Sequence, residues 1–490
     1  MNHMASANVQ TLENVIGGRR VAASGETIEI RNPASDEVVA IYRASCVGDV
    51  AAAVAVAAEA QQAWRRVPPA ERARVLLRFH HLLTRHRGGI AEILTLEHGK
   101  TRREAELEVD RGIENVEVAC GAPTLMQGAM LEDATAGIDE YVIRQPLGVC
   151  ASLSPFNFPA MIPLWSLPYA LACGNSLVAK ASPRVPMTLS RMFDLLAEAG
   201  LPDGVANLVL GDVDASRALV EHPTVRTISF VGSTRVGREV YAQAATAGKR
   251  VQVGAGAKNF CVVMSDADPA KIVPNIVASA MGCTGQRCLA LSGVIAVGDA
   301  HAALSEALVE AAGAIRVGPG MDDRSDMGPV ISADARQRIE AAIDKGQHEG
   351  AKVRLDGRGC RVDGFADGYW VGPTLLDDCE PKMSVAREEI FGPVLSIVRV
   401  GDLSEAIELI NSSNYGNAAA IYTNSGAAAR RFRYEVDAGN IGVNIGVAAP
   451  MAFFHFGGAK DSFFGDLHAQ GRDAFDFFTQ RKVSIERWYD

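Results

Sequence analysis

The stretch GVCASLSPFNFPAMIPLWSLPYALACGNSLVAK, residues 148–180, decides the fold. It opens on a short apolar run, GVCASLSP. A helix-length segment, MIPLWSLPYALACG, follows, and SLVAK closes it as a second short apolar run. Strand, helix, strand in this order is a crossover unit, which joins parallel strands. The rhythm continues downstream. A helix is expected from Pro186, a strand at ANLVLG, a strand at TISFVG, a helix from Thr234 and a strand at RVQVG. The result is a mostly parallel sheet with helices on both faces.

A second series begins near SGVIAVGD (292–299) and continues through a helix over 333–349, AAAIYT (418–423) and NIGVNI (440–445). It predicts a second α/β domain. Upstream, residues 47–65 and 70–96 carry apolar residues at spacings of three and four, among them Val75, Leu76, Phe79, Leu82 and Leu83, so the first third is helical after a short strand region. The segment 131–147 and the C-terminal FDFFTQRKVSIERW read as apolar alternations. Paired, they form a small projecting sheet whose open edges call for a second subunit.

Bulk properties bound the function. A chain of 490 residues exceeds what one core organises, so two or three domains are expected. A net charge of -10 argues against nucleic acid, and the densest basic run, Arg72 to Arg87, reads as the polar face of a helix. The nine cysteines are odd in number and irregular in spacing, with no CxxC, which fits a reducing cytoplasm rather than a disulfide scaffold. The N-terminal MNHMASANVQTLENV lacks a signal-peptide core. PAMIPLWSLPYALACG comes closest to a membrane span but falls short of about 20 residues and is broken by prolines.

Three places invite ligands. GAGAKN (254–259) begins like a dinucleotide fingerprint but has Asn259 where the third glycine belongs. SFVGSTRVGREV (229–240) is better placed: Gly232 permits a tight turn, Ser233 or Thr234 can cap the next helix, and that helix N-terminus suits a phosphate. Its bland alternative is an ordinary βα turn. Lys180 ends the strand SLVAK, where open α/β sheets hold ligands, or else is a solvated strand end.

The stretch GCTGQRCLALS (282–292) holds Cys283 and Cys288. They are five residues apart with no histidine near, which disfavours zinc. Cys283 reads as a packing residue. Cys288 follows a flexible turn and adjoins Arg287, and a cation beside a thiol favours the nucleophilic thiolate.

In order along nearly the whole chain come PFNFP (155–159), GN before SLVAK, FVGSTRVG (230–237), GQRC (285–288), EEIFGPV (388–394) and HFGG (455–458). Together these resemble the aldehyde dehydrogenase superfamily. RGIENVE (111–117), PFNFPAMIPLW, GAKN, GQRCLALS and PMAFFHF (450–456) most resemble its CoA-acylating methylmalonate- and malonate-semialdehyde dehydrogenases. The resemblance implies an α/β fold of two Rossmann-like parallel-sheet domains and a small β oligomerisation arm. Its parts would be an NAD-binding domain at 7–125 and 148–256, a catalytic domain at 257–460, and an arm at 126–147 and 471–490, assembled as a dimer of dimers.

It implies roles as well. Cys288 attacks the aldehyde carbon. Asn157 and the Cys288 N–H donate to the oxyanion, where a lost donor costs about 3 kcal/mol. Hydride passes to NAD, bound by Ser154, Phe156, Lys180, Gly232, Ser233, Gly237, Glu389 and Phe391. Arg111 and Arg287 bind the carboxylate of the substrate aldehyde, for which a guanidinium fork is suited, and Phe456 walls the pocket. No metal is called for. Two departures stand out. Pro183 replaces a glutamate that in the superfamily meets the adenosine ribose, which loosens the expectation of strict NAD over NADP. Gly254 replaces the glutamate that activates water, so coenzyme A becomes the expected acyl acceptor. A hydrolytic aldehyde dehydrogenase and a non-catalytic member of the fold are the competing readings.

Overall fold

A computed structural model describes residues 9–489. The first eight residues, which hold the start of the stretch read for a leader (1–15) and the domain start at residue 7, lie outside the described residues, as does Asp490 at the end of the expected arm. The crossover unit forms as expected. Val149–Leu153 and Ser176–Lys180 are parallel neighbours, with Leu153 opposite Lys180. Between them lie a single 3-10 turn, Pro163–Trp165, and the helix Leu167–Ala172. Both strands are buried along their whole length, which is why they read as continuous apolar runs rather than alternations.

These strands sit in an eight-stranded sheet. Its parallel centre runs Arg250–Gly254, Val225–Val231, Val149–Leu153, Ser176–Lys180 and Ala206–Val209. Strand order reverses between Val149–Leu153 and Val225–Val231, a switch point of the kind at which open α/β sheets bind ligands. Side chains alternate between two cores. Leu177 and Ala179 pack with the helices Pro69–Arg85 and Arg102–Cys120, whereas Val178 packs with Val50, Val54 and Leu219 on the other face. The second, seven-stranded sheet has Asn259–Val263 beside Leu291–Val297 and Ala418–Tyr422, all parallel. Phe260 and Val262 face one core, Cys261 and Val263 the other.

Several expectations need correction. The segment 471–490 divides in two. Gly471–Phe477 is a helix, and Phe475, Phe477 and Phe478 are fully buried in the first core, Phe475 edge-on to Tyr169. Only Thr479–Arg487 is a strand, paired along its length with Ile138–Pro146, which also pairs with Ala129–Thr135. The aromatic run that looked like alternation is a core helix. The helix expected over 70–96 breaks at His86. Arg72 is not on a solvated face: its guanidinium is buried against the carbonyls of Ala172 and Val67. A helix at Val213–Glu221, capped by Asp212, was not anticipated. All nine cysteines are unpaired, and no helix among the described residues is long and apolar enough to cross a membrane.

Candidate active site

The loop that carries Cys288 is bent before it is reactive. Cys283, Thr284 and Gly285 follow one another in the left-handed region, at φ 49°, 56° and 67°. Gly285 is obligatory on two counts, because a Cβ there would lie 2.0 Å from the Gly392 carbonyl oxygen. Thr284 Oγ1 donates to the Gly328 carbonyl at 2.9 Å, and two buried amides, Asn259 and Asn417, each donate to the Cys288 carbonyl at 2.8 Å. Asn259 also holds the Ala290 carbonyl. That explains the last residue of GAGAKN: the run is no dinucleotide fingerprint but the link between the sheets, and its asparagine anchors the Cys288 loop.

Asn157 is buried and directs one amide N–H to the Gln286 carbonyl at 3.0 Å, which leaves its second N–H for a ligand. Its own carbonyl accepts from Lys100 Nζ at 2.7 Å. Lys100 is fully buried, as is its partner Glu108 at 2.6 Å, and Glu108 accepts the N–H groups of Ala160 and Met161. A buried ion pair thus fixes the turn that presents Asn157.

Cys288, Arg287, Arg111 and Phe456 line one cavity of about 200 Å³. Arg111 comes from the helix Arg102–Cys120 and Phe456 from a loop beyond the second sheet; its ring lies 4.4 Å from that of the buried Trp165. Cys283 is buried, as a packing residue is, and it borders the same cavity. Arg287 favours the Cys288 thiolate, as expected, but only weakly. Burial pushes the Cys288 thiol up to about 12, the Glu389 carboxylate adds to the rise, and Arg287 opposes it least of all. The guanidinium points elsewhere, to Glu104 at 3.2 Å and to Cys283. Neighbours along a chain need not be neighbours in space.

The remaining positions gather at the carboxyl ends of the first sheet's strands. Ser154 N–H donates to the Lys180 carbonyl, and Gly232 N–H to the Gly254 carbonyl. Lys180 is buried and not a solvated strand end; burial lowers it to about 8, with Asp212 opposing. Ser233 starts the helix Thr234–Thr246, but its side chain makes no cap bond. Thr234 instead spends its hydroxyl oxygen on the Gly256 N–H. The first amides of that helix are therefore free for an anion. Gly237 differs from the rest: it is buried, and a Cβ there would press on Val253 at 2.7 Å, so it serves helix-to-strand packing.

Glu389 accepts the Ala257 N–H at 3.0 Å, and burial raises its carboxyl to about 7 against the pull of that N–H, Lys258 and Arg338. Gly256 has to lack a side chain, since a Cβ would sit 2.8 Å from both Glu389 Oε2 and Thr234 Oγ1. Phe391, itself at φ 56°, stands edge-on to Phe156 at 5.9 Å. The uncapped helix and this glycine cradle suit a dinucleotide.

Gly254 lines a smaller recess together with Cys288 and Phe456, and a Cβ there meets only Val231, at 3.4 Å. No carboxylate lines that recess. The cluster with metal-ligand geometry among the described residues, His301, Asp377 and Asp378, belongs to the second sheet, and Ser305 and Arg354 already satisfy Asp377.

Residues 20–484 match the aldehyde dehydrogenase family. The chain belongs to the aldehyde dehydrogenase family. Among its relatives is malonate-semialdehyde dehydrogenase 1 of Geobacillus thermodenitrificans, 48% identical over 485 residues, or 99% of this chain and all of the relative. A Sinorhizobium meliloti structure complexed with NAD superposes with a TM-score of 0.98 at 42% identity, covering 99% of each chain. The methylmalonate-semialdehyde dehydrogenase of Oceanimonas doudoroffii gives 0.97 at 42% identity, covering 98% of this chain and 99% of that one. Within this aldehyde dehydrogenase, sequence reasoning missed Asn259, Asn417, Lys100, Glu104 and Glu108. A signal existed for two of them. Glu104, Glu108 and Arg111 are spaced four and three apart on one helix, which puts all three on one face, and that face lines the cavity.

Proposed function

We propose that the protein is an NAD-dependent, CoA-acylating dehydrogenase of malonate or methylmalonate semialdehyde. The observation that carries the reading is that Arg111, from a distant part of the chain, meets Cys288 and Arg287 on one cavity. Arg111 and Arg287 hold the substrate carboxylate, and Phe456 and Trp165 wall its carbon skeleton. Cys288 Sγ bonds to the aldehyde carbon while Asn157 Nδ2 and the Cys288 N–H donate to the oxygen that becomes negative. NAD, when bound, supplies the hydride acceptor. Its holders are Lys180, Ser154, Gly232, Ser233 and the groove of Phe156, Glu389 and Phe391; a carboxylate such as Glu389 accepts from two ribose hydroxyls. Gly237 supports this groove by packing.

The acyl-enzyme then loses CO2, and the thiol of coenzyme A takes the acyl group, giving acetyl-CoA or propionyl-CoA. Gly254 supports that choice of acceptor, because the recess beside Cys288 offers no general base to water.

The first sheet, with the preceding helices, forms the NAD-binding domain in this reading, and the second sheet the catalytic domain. The three-stranded sheet is the oligomerisation arm of a dimer of dimers: Met130, Leu131, Ile143, Val483 and Ile485 are exposed on it. Nine unpaired cysteines fit a reducing cytoplasm. The test is steady-state NADH formation with malonate semialdehyde, methylmalonate semialdehyde and propanal, each with and without CoA. The acid aldehydes with CoA should dominate; equal turnover without CoA refutes the reading in favour of hydrolysis.

A further inference from the structure

Each of three ion pairs has at least one member lining the substrate cavity, and their formal charges cancel. Arg111 meets Glu114 at 2.6 Å, Arg287 meets Glu104 at 3.2 Å, and Lys100 meets Glu108 at 2.6 Å. A site built only to grip an anion would leave its cations uncompensated. Here each arginine spends part of its fork on its own glutamate and has further N–H groups for a ligand. The Glu104 charge is fixed in place. One of its oxygens accepts from the Cys283 N–H at 2.6 Å as well as from Arg287, and the other accepts from the Thr101 N–H and hydroxyl. Glu114 has a simpler role, with Arg111 as its side-chain partner.

The proposed reaction gives these glutamates a purpose, and the inference rests on that reading. When the acyl-enzyme decarboxylates, the bond from the α-carbon to the carboxylate breaks. Its electron pair passes to the α-carbon and spreads on to the thioester oxygen, CO2 leaves, and water then supplies a proton to the α-carbon. The carboxylate begins with a full negative charge and departs as neutral CO2. Net positive charge beside it stabilises the reactant more than the transition state, so tighter binding slows the step. We propose that Glu104 and Glu114 are positioning residues that temper Arg287 and Arg111, so that the substrate carboxylate is oriented by hydrogen bonds without being too strongly stabilised to leave as CO2.

The test uses the full-length enzyme with NAD and carboxyl-labelled malonate semialdehyde, following NADH and released CO2 through the first turnover. Glu114→Gln and Glu104→Gln should each lower the KM for malonate semialdehyde about fivefold and slow CO2 release relative to NADH about tenfold, as for about one added charge contact. The KM for propanal should not fall. With CoA present, malonyl-CoA should appear beside acetyl-CoA. Glu114→Asp and Glu104→Asp, which keep the charge, should restore wild-type ratios. A purely structural role would raise KM for both aldehydes, and that result in both Gln variants overturns the proposal. So does CO2 release at the wild-type ratio in both. Glu114→Gln, which leaves the nucleophile loop untouched, guards against misfolding of the other variant. If the wild type itself forms NADH without releasing CO2, the proposed function fails and takes this inference with it.

Discussion

Lys100→Met removes one half of a fully buried ion pair that no bulk property of the chain announces. In the native protein Lys100 Nζ lies 2.6 Å from Glu108, 2.7 Å from the Asn157 carbonyl and 4.4 Å from the centre of the Phe158 ring. Breaking a buried pair leaves an uncompensated charge and costs about 3–5 kcal/mol. Glu108 keeps its N–H bonds from Ala160 and Met161, which favours the lower end of that range. The Asn157 carbonyl loses its donor, worth about 1 kcal/mol more. The sum is a loss of about 4 kcal/mol, read from the urea midpoint by tryptophan fluorescence. Lys100→Met/Glu108→Leu removes the orphaned charge but strands two backbone N–H groups, so it should recover about half of that loss. Because Lys100 also anchors Asn157, NADH formation by the single variant should fall about tenfold, the effect of a partly misplaced oxyanion donor. A single variant within about 1 kcal/mol of wild type refutes the argument, as does a double variant less stable than the single one.

Other consequences can be measured directly. With its thiol near 12, Cys288 in the cofactor-free enzyme should alkylate with iodoacetamide at a rate rising about tenfold per pH unit from 7 to 10, followed by peptide mass spectrometry; a plateau near neutrality contradicts the charge assignment. Arg111→Leu should cost malonate semialdehyde at least about tenfold in kcat/KM and propanal little, as for a lost charge-assisted bond; equal losses remove the arginine from substrate binding. Gly254→Glu finds room for its Cβ beside Val231, and should raise CoA-independent NADH turnover at least about tenfold; a folded variant with no such rise argues against the missing base as the cause. Glu389 is held near 7, so the KM for NAD should rise as pH falls through 7 and the carboxylate is lost, a dependence that Glu389→Gln should abolish. Because the folded pKa is raised, this group's contribution to stability is present below its ordinary 4.5 and is lost as pH climbs from there to about 7.

Much of the fold was legible for one reason. The central strands of both sheets are buried on both faces, so each announces itself as a short apolar run between helical stretches. Residues 471–478 misled because a core helix of alternating aromatics imitates a strand. The helix Val213–Glu221 escaped because nine residues are too few to establish a period. The candidate site was legible mainly through motif order. Its supports were not, because they act across the chain: Glu104 reaches Arg287 over 183 residues, and Asn417 reaches Cys288 over 129. Spacing within one segment cannot encode such contacts, although the shared helical face of Glu104, Glu108 and Arg111 could have raised the question.

Arg287 shows what that limit means for chemistry. In sequence it adjoins Cys288 and invites the assignment of thiolate activation. In space its guanidinium lies over Gly282, where a Cβ would come within 2.3 Å of it, and it is shared between Glu104 and Cys283. The charge nearest in effect to Cys288 is instead the carboxylate of Glu389, which disfavours the thiolate. Arg287 thus offsets only a small part of the rise that burial and Glu389 impose on the Cys288 thiol. In the proposed reaction the reactivity of Cys288 depends on stabilising the charge where the bond-making delivers it, at an oxyanion facing Asn157. In that proposal the buried Lys100–Glu108 pair, which holds Asn157 in place, matters more than the arginine next to the cysteine.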